Sequence, residues 1–128
     1  MKYLLDTCTF LWLTSSPGRL SKRAKKLLQD AEHTLIISDV CALELSFKWM
    51  SGKLPLPEPP RMWYEQQTSL WNLEAVPLAR NVIYRASELP KIHLDPFDRL
   101  LVATALEEGG TILTPDREIA KYPVAVMW

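Results

Sequence analysis

Apolar and polar residues along this chain divide it into two kinds of segment. Short apolar runs, which are typical of buried strands, occur at residues 2–6 (KYLLD), 34–38 (TLIIS), 73–78 (LEAVPL), 111–114 (TILT) and 124–128 (VAVMW). Segments that favour helix separate them, at residues 21–32, 38–52, 61–71, 79–89 and 96–108. Strands that alternate with helices predict an α/β domain of three layers, with a central, mostly parallel sheet flanked by helices.

Residues at the ends of the helical segments support this division. Ser21 and Ser38 are each placed to cap the N-terminus of a helix with the side-chain oxygen. Gly52 and Gly109 follow helical segments and favour termination there. Residues 53–60 (KLPLPEPP) contain four prolines, so they are expected to form an extended surface connector.

The length and charge of the chain exclude several classes of protein. A chain of 128 residues is long enough for one hydrophobic core, so we expect a single domain, residues 1–128. Fifteen basic residues balance fifteen acidic ones, which gives no long-range attraction to nucleic acid or to an acidic membrane. No segment is long and apolar enough to span a bilayer. Cys8 and Cys41 match neither a disulfide framework nor a zinc site, so we expect reduced thiols in a cytoplasmic protein.

Four acidic residues occupy positions where a parallel sheet gathers its ligands. Asp6 follows the first strand, Asp116 follows the strand at residues 111–114, and Asp98 lies in the first turn of a helix. In open α/β sheets ligands bind beyond the carboxyl ends of the strands, where these positions meet. Glu44 lies about one and a half turns into its helix between two leucines, and is either exposed or buried with partners.

A cluster of carboxylates at this edge would suit a hard divalent cation. Mutual repulsion would destabilise the cluster, and a bound Mg²⁺ or Mn²⁺ would offset that repulsion. In such a site the metal lowers the pKa of a water molecule, orients the phosphate and stabilises the leaving oxygen in phosphodiester hydrolysis. Assigning four acids to a metal leaves 11 acidic residues against 15 basic ones, which suits a polyanionic substrate. Acids at loop starts are commonplace, so ordinary capping roles stay open at this point.

The stretch HLDPFDRLL at residues 93–101 predicts two different uses for two aspartates. Asp95 lies where an N-cap belongs, with Pro96 at the first helical position and Asp98 at the third. Aspartate is shorter than the glutamate usual at the third position of a capping box, so Asp98 is free to serve another purpose. We expect Asp95 to stabilise the helix and Asp98 to belong to the acidic site.

Four stretches together resemble one family. KYLLDTCTFLW, ALELSFKWMSGKLPLP, HLDPFDRLLVATAL and TPDREIAKYPVAVMW are similar, in order and spacing, to the PIN-domain ribonucleases of the VapC-type toxins. The resemblance runs from the first strand to the last residue. It implies a three-layer α/β fold, an Mg²⁺- or Mn²⁺-dependent endoribonuclease acting on RNA, neutralisation by a cognate antitoxin protein, and a homodimer.

The resemblance assigns the catalytic and metal-binding roles to Asp6, Glu44, Asp98 and Asp116. Four further residues are candidates for a supporting role. Thr7 and Thr114 have hydroxyls to orient carboxylates or water, and Lys48 and Arg99 are cations to contact phosphate or an acid. Relatives that share the LLDT start often have His where this chain has Cys8, which removes support for an auxiliary catalytic role there. His93 is expected in the loop before the last helix.

Two other functions are compatible with this fold class. One is a catalytically silent partner-binding module that has kept the fold. The other is a phosphoacceptor signalling domain, which requires an adjacent acidic pair after the first strand. Asp6 stands alone, and the sequence after the late strand is TPD rather than one with a lysine, so the phosphoacceptor hypothesis is weaker.

Overall fold

The computed structural model describes residues 1–128 and contains one sheet of five parallel strands. The strands are β1 (Lys2–Leu5), β2 (Thr34–Ser38), β3 (Glu74–Val76), β4 (Thr111–Leu113) and β5 (Val126–Met127). Their order in the sheet is β3-β2-β1-β4-β5, so β1 is central and the chain changes sides between β3 and β4. This sheet, flanked by helices, confirms the predicted fold class.

Six helices connect the strands. They are α1 (Thr7–Ser15), α2 (Lys22–Gln29), α3 (Asp39–Met50), α4 (Pro60–Leu70), α5 (Arg80–Glu88) and α6 (Pro96–Glu108). The predicted caps are present: Ser21 accepts a hydrogen bond from the Ala24 amide, and Ser38 accepts one from the Val40 amide. Gly109 ends α6 in the left-handed conformation that glycine adopts most readily (φ 63°). None of the six has the length and apolar character needed to cross a membrane.

The helix α1 is not predicted by the sequence pattern. Its residues, TCTFLWLTS, are rich in β-branched and aromatic side chains, which favour strands, and its apolar residues lie all round the helix instead of along one stripe. The helix forms because Asp6 caps it and because Phe10 and Leu13 pack into the core. Tertiary packing therefore outweighs local propensity in this segment.

Two predicted boundaries are corrected by the structure. The helix expected over residues 21–32 ends at Gln29, so the last residues of that segment lie outside it. The proline-rich connector is shorter than expected because Pro60 is the first residue of α4, a position where the missing amide hydrogen of proline costs nothing.

The core lies around the central strands and fixes the end of β1. Leu4, Leu5, Ile112 and Leu113 are fully buried on β1 and β4, whose registers pair Leu4 with Ile112 and Leu5 with Leu113. The next residue after Leu5 is Asp6. This carboxylate therefore lies at the middle of the carboxyl edge of the sheet, beside the point where strand order reverses.

Candidate active site

Asp6 is held rigidly at the end of β1. Its Oδ1 accepts a hydrogen bond from the Thr9 amide at 2.8 Å, and its Oδ2 accepts one from Thr114 Oγ1 at 2.5 Å. The residue is only 5% exposed. Burial raises the pKa of the Asp6 carboxyl group, while the hydrogen bonds from Thr114 and Thr9 lower it. Asp6 is therefore both a helix cap and a largely desolvated acid.

Thr114 connects Asp6 with Asp116. Its hydroxyl donates to Asp6 and accepts a hydrogen bond from the Asp116 amide at 3.0 Å. Asp116 Oδ1 in turn accepts from the Glu118 amide at 2.8 Å. Because Thr114 is buried, this arrangement holds the two acids that follow the neighbouring strands β1 and β4 in a fixed relation.

Glu44 projects from α3 and is partnered on both oxygens. Thr7 Oγ1 donates to Oε1 at 2.7 Å, and Lys48 Nζ lies 2.9 Å from Oε2. Thr7 follows Asp6 directly, so its hydroxyl connects the end of β1 to α3. Burial, and then the charges of Asp6 and Glu44, raises the pKa of the Cys41 thiol to about 12. The Thr7 hydroxyl lies 3.4 Å from Cys41 Sγ, so this thiol is beside the partner of Glu44.

Asp98 lies in the first turn of α6 and contacts a histidine. His93 Nε2 is 3.1 Å from Asp98 Oδ2. Burial raises the pKa of Asp98 to about 6; the hydrogen bond from His93 lowers it, and the charges of Asp95 and Asp116 raise it further. Asp98 is therefore a partly buried acid whose carboxylate is held by His93.

Asp95 caps α6 as predicted. Its Oδ1 accepts hydrogen bonds from the amides of Phe97, at 2.9 Å, and Asp98, at 3.3 Å. Asp98 makes no capping hydrogen bond with its side chain. The capping role of Asp95 is confirmed, and the assignment of Asp98 to the acidic site stays a prediction.

An Asp95→Ala variant should lose about 0.5–2 kcal/mol of unfolding free energy, because two amides of the first turn lose their acceptor. Urea denaturation measures this loss. The RNA cleavage rate of the folded protein should stay close to the wild-type value. A loss of activity as large as that of an Asp98 variant would mean that Asp95 also contributes directly to the site.

The expectation that Arg99 contacts RNA phosphate or an acidic side chain is wrong. Arg99 is 9% exposed, and its guanidinium donates to the carbonyls of residues 86, 89, 90 and 93 and to the hydroxyl of Tyr122. These partners close the end of α5 and the loop before α6. Arg99 is therefore an internal brace that cannot reach a substrate.

Cys8 lies beside the acidic site as a neutral thiol. Its Sγ is 3.5 Å and 3.6 Å from the two carboxylate oxygens of Asp6. Burial, and then the charge of Asp6, raises the pKa of Cys8 to about 12. The thiol therefore stays protonated near neutral pH and acts as a weak donor to Asp6.

The chemistry of the side chains at this edge fits a hard divalent cation with several water ligands. Carboxylates come from Asp6, Glu44, Asp98 and Asp116, and each has a hydrogen-bond donor that orients it. No group of three or more His, Cys, Asp or Glu side chains lies close enough together, as placed, to hold a metal ion. An open set of carboxylates suits Mg²⁺, which uses few protein ligands and keeps water.

Comparison with known proteins places this geometry in a family context. The family model described as PIN domain matches residues 3–125. Ribonuclease VapC22 of Mycobacterium tuberculosis is 29% identical over 120 residues, which cover 93% of this chain and 90% of that protein.

Solved structures give the same picture of the fold. VapBC2 from Rickettsia felis bound to a promoter DNA fragment superposes with a TM-score of 0.72 at 17% identity, covering 100% of this chain and 99% of that one. DNA-bound VapBC from Salmonella typhimurium superposes with a TM-score of 0.72 at 16% identity, covering 99% of this chain and 97% of that one. A toxin-antitoxin complex from Klebsiella pneumoniae superposes with a TM-score of 0.67 at 18% identity, covering 98% of this chain and 96% of that one. These likenesses concern the fold.

Proposed function

This chain belongs to the PIN domain family, and on that premise we propose that it is a metal-dependent endoribonuclease of the VapC type. The observation that supports the proposal is the hydrogen-bonded arrangement at the carboxyl edge of the sheet, where Thr114 joins Asp6 to Asp116 and Thr7 joins the end of β1 to Glu44. The similarity to a protein named as a ribonuclease supports RNA as the substrate. Binding of Mn²⁺ separates this proposal from the alternative of a silent partner-binding module.

Asp6, Glu44, Asp98 and Asp116 are the residues that would hold the ion, Mg²⁺ or Mn²⁺. When bound, the ion would supply Lewis acidity toward the scissile phosphate and toward water. Asp6, held by hydrogen bonds from Thr9 and Thr114, is the most buried of the four ligands proposed here. Its burial keeps bulk water away from the centre of the site, which strengthens electrostatic interactions there.

Lys48 has two roles in this proposal. Its ammonium group pairs with Glu44 at 2.9 Å and neutralises part of the negative charge of the acidic cluster. The Lys48 side chain is about half exposed, at 48%, so its end is accessible from solvent. We assign it to contact a phosphate of the RNA backbone near the acids, which would position the substrate without reading its sequence.

The proposed partners follow from the assemblies of structural neighbours. Three solved neighbours are toxin–antitoxin complexes, of which two are bound to DNA. We therefore propose that a cognate antitoxin protein neutralises this chain, and that the chain forms a homodimer. Exposed apolar side chains on α3 and α4, namely Phe47, Met50 and Met62, provide an apolar surface for such protein contacts.

A Thr114→Val variant should cleave RNA about 10–100-fold more slowly than the wild type, because it removes the donor to Asp6 and the acceptor of the Asp116 amide. The methyl group that replaces the hydroxyl preserves the volume of the side chain. Thr114→Ser is the matched control, since it keeps the hydroxyl and should keep most of the activity. Initial rates on a fluorogenic RNA measure the difference; equal rates for the two variants would contradict the assigned role of the hydroxyl.

Calorimetric titration with Mn²⁺ separates the nuclease from a silent module. The nuclease should bind Mn²⁺ with measurable heat, and the affinity should fall when Asp98 is replaced by Asn. A wild-type protein that binds no Mn²⁺ at millimolar concentration would favour the silent module.

A further inference from the structure

Asp98 differs from the other three acids in how it is held. Asp6 and Glu44 receive hydroxyl hydrogen bonds from Thr114 and Thr7, and Asp116 receives a backbone hydrogen bond. Asp98 receives none of these. The polar group within hydrogen-bond distance of its carboxylate is Nε2 of His93, at 3.1 Å from Oδ2, so the orientation of Asp98 depends on this histidine.

The other side of the His93 ring is also fixed. Nδ1 lies 2.9 Å from the hydroxyl of Tyr122, a residue that is 3% exposed. Tyr122 follows the short helical turn at Ile119–Lys121, between β4 and β5. The histidine thus connects the segment after β4 with the first turn of α6, across 29 residues of sequence from Tyr122.

The direction of the hydrogen bonds follows from Arg99, which can only donate. Arg99 Nη1 donates to the Tyr122 hydroxyl at 3.1 Å and to the His93 carbonyl at 3.2 Å. The hydroxyl proton of Tyr122 has two acceptors within 2.9 Å, the His93 carbonyl and His93 Nδ1. Because Arg99 already serves the carbonyl, we assign the proton to Nδ1. The ring then carries its own proton on Nε2 and donates it to Asp98.

The loop that carries His93 is preorganised for this purpose. Arg99 donates to the carbonyls of Ala86 and Leu89 at the end of α5, each at 2.9 Å, and to that of Pro90 at 2.8 Å. These contacts fix the backbone of the loop before any ion or substrate binds. His93 is therefore already ordered in the folded protein, so binding of an ion loses no further conformational entropy there.

We propose that His93 is a positioning residue of the metal site. Its Nε2–H fixes Oδ2 of Asp98, and Oδ1, which has no protein donor, is left to coordinate the ion. Carboxylates that bind metals are commonly held in this way by a neighbouring donor, whose loss weakens metal binding. This inference rests on the proposed function, because it assigns Asp98 as a ligand. His93 does not contact the substrate in this proposal and transfers no proton.

Three variants test this assignment by Mn²⁺ affinity, measured calorimetrically on the whole protein. His93→Leu removes the donor and should weaken Mn²⁺ binding about 10–100-fold. His93→Gln keeps an N–H donor near the Nε2 position and should recover most of the affinity. In an Asp98→Asn background, adding His93→Leu should weaken binding no further, because the group that His93 positions is already changed. Melting temperatures measured without metal verify that each variant is folded.

The outcomes separate this inference from the proposed function. If the wild type binds Mn²⁺ and His93→Leu binds it with the same affinity, the positioning role is overturned and the nuclease proposal stands. Equal weakening in the Leu and Gln variants would also overturn it, since loss of packing rather than loss of the donor would then be the cause. Absence of Mn²⁺ binding by the wild type would overturn both proposals.

Discussion

Replacing Asp98 with Asn should reduce RNA cleavage at least about 100-fold, because loss of a supporting group alone costs 10–100-fold and Asp98 is proposed as a direct ligand. The variant should fold normally. Asp98 provides no cap, and at pH 7 its ionised form is disfavoured by folding, since burial raises its pKa from 3.8 to about 6. A neutral Asn removes that penalty. The melting temperature without metal should therefore stay equal or rise.

The neighbouring aspartate provides the matched control. Asp95→Asn makes the same chemical change three residues away, and Asn is as good an N-cap as Asp. Its cleavage rate should stay close to that of the wild type, because Asp95 accepts only from backbone amides of the first turn, which an Asn cap also satisfies. Initial rates on one fluorogenic RNA, with Mg²⁺ in excess, give the comparison. Retained cleavage in Asp98→Asn would contradict the assignment of Asp98.

The largest effect on stability is expected at Arg99. Arg99→Met keeps an apolar stem of similar length but removes every donor of the buried guanidinium, and with it the contacts at the end of α5 and in the following loop. Buried acceptors without a partner each cost about 1–3 kcal/mol. We therefore expect a loss of about 3 kcal/mol or more in the free energy of unfolding, measured by urea denaturation.

Arg99→Lys is the comparison that isolates the geometry of the guanidinium. It keeps the positive charge but offers one compact ammonium group where Arg99 has two nitrogens facing different carbonyls. The Lys variant should recover part of the loss, because a cation near the C-terminus of α5 still interacts favourably with the helix dipole. A Met variant within about 1 kcal/mol of the wild type would show that water satisfies these carbonyls and that the brace is unimportant.

Features with local causes were predictable from the sequence. The N-cap role of Asp95 follows from its position before Pro96, because a cap needs only the amides of the next turn. The strands around Leu4 and Ile112 follow from continuous apolar runs. The positions of Asp6 and Asp116 at one edge follow from the parallel arrangement of strands, which the alternation of elements predicts.

Features that depend on distant partners were not predictable in the same way. Arg99 lies near the start of α6, and nothing nearby in the sequence indicates that its acceptors lie at Ala86 and Tyr122. The pairing of His93 with Tyr122 likewise joins residues that are 29 positions apart. The helix α1 forms against local propensity because Asp6 caps it and the core buries Phe10 and Leu13. A buried, multiply bonded side chain becomes visible only when the fold brings its partners together.

The central claim is that the oriented carboxylates make this chain a metal-dependent endoribonuclease. The most direct measurement is sequencing of RNA ends after purified protein is incubated with total RNA, with Mg²⁺ or with EDTA, and with Asp98→Asn in parallel. The account predicts new 5′-phosphate ends that require both Mg²⁺ and Asp98. The same ends in the EDTA sample, or in the Asp98→Asn sample, would contradict it.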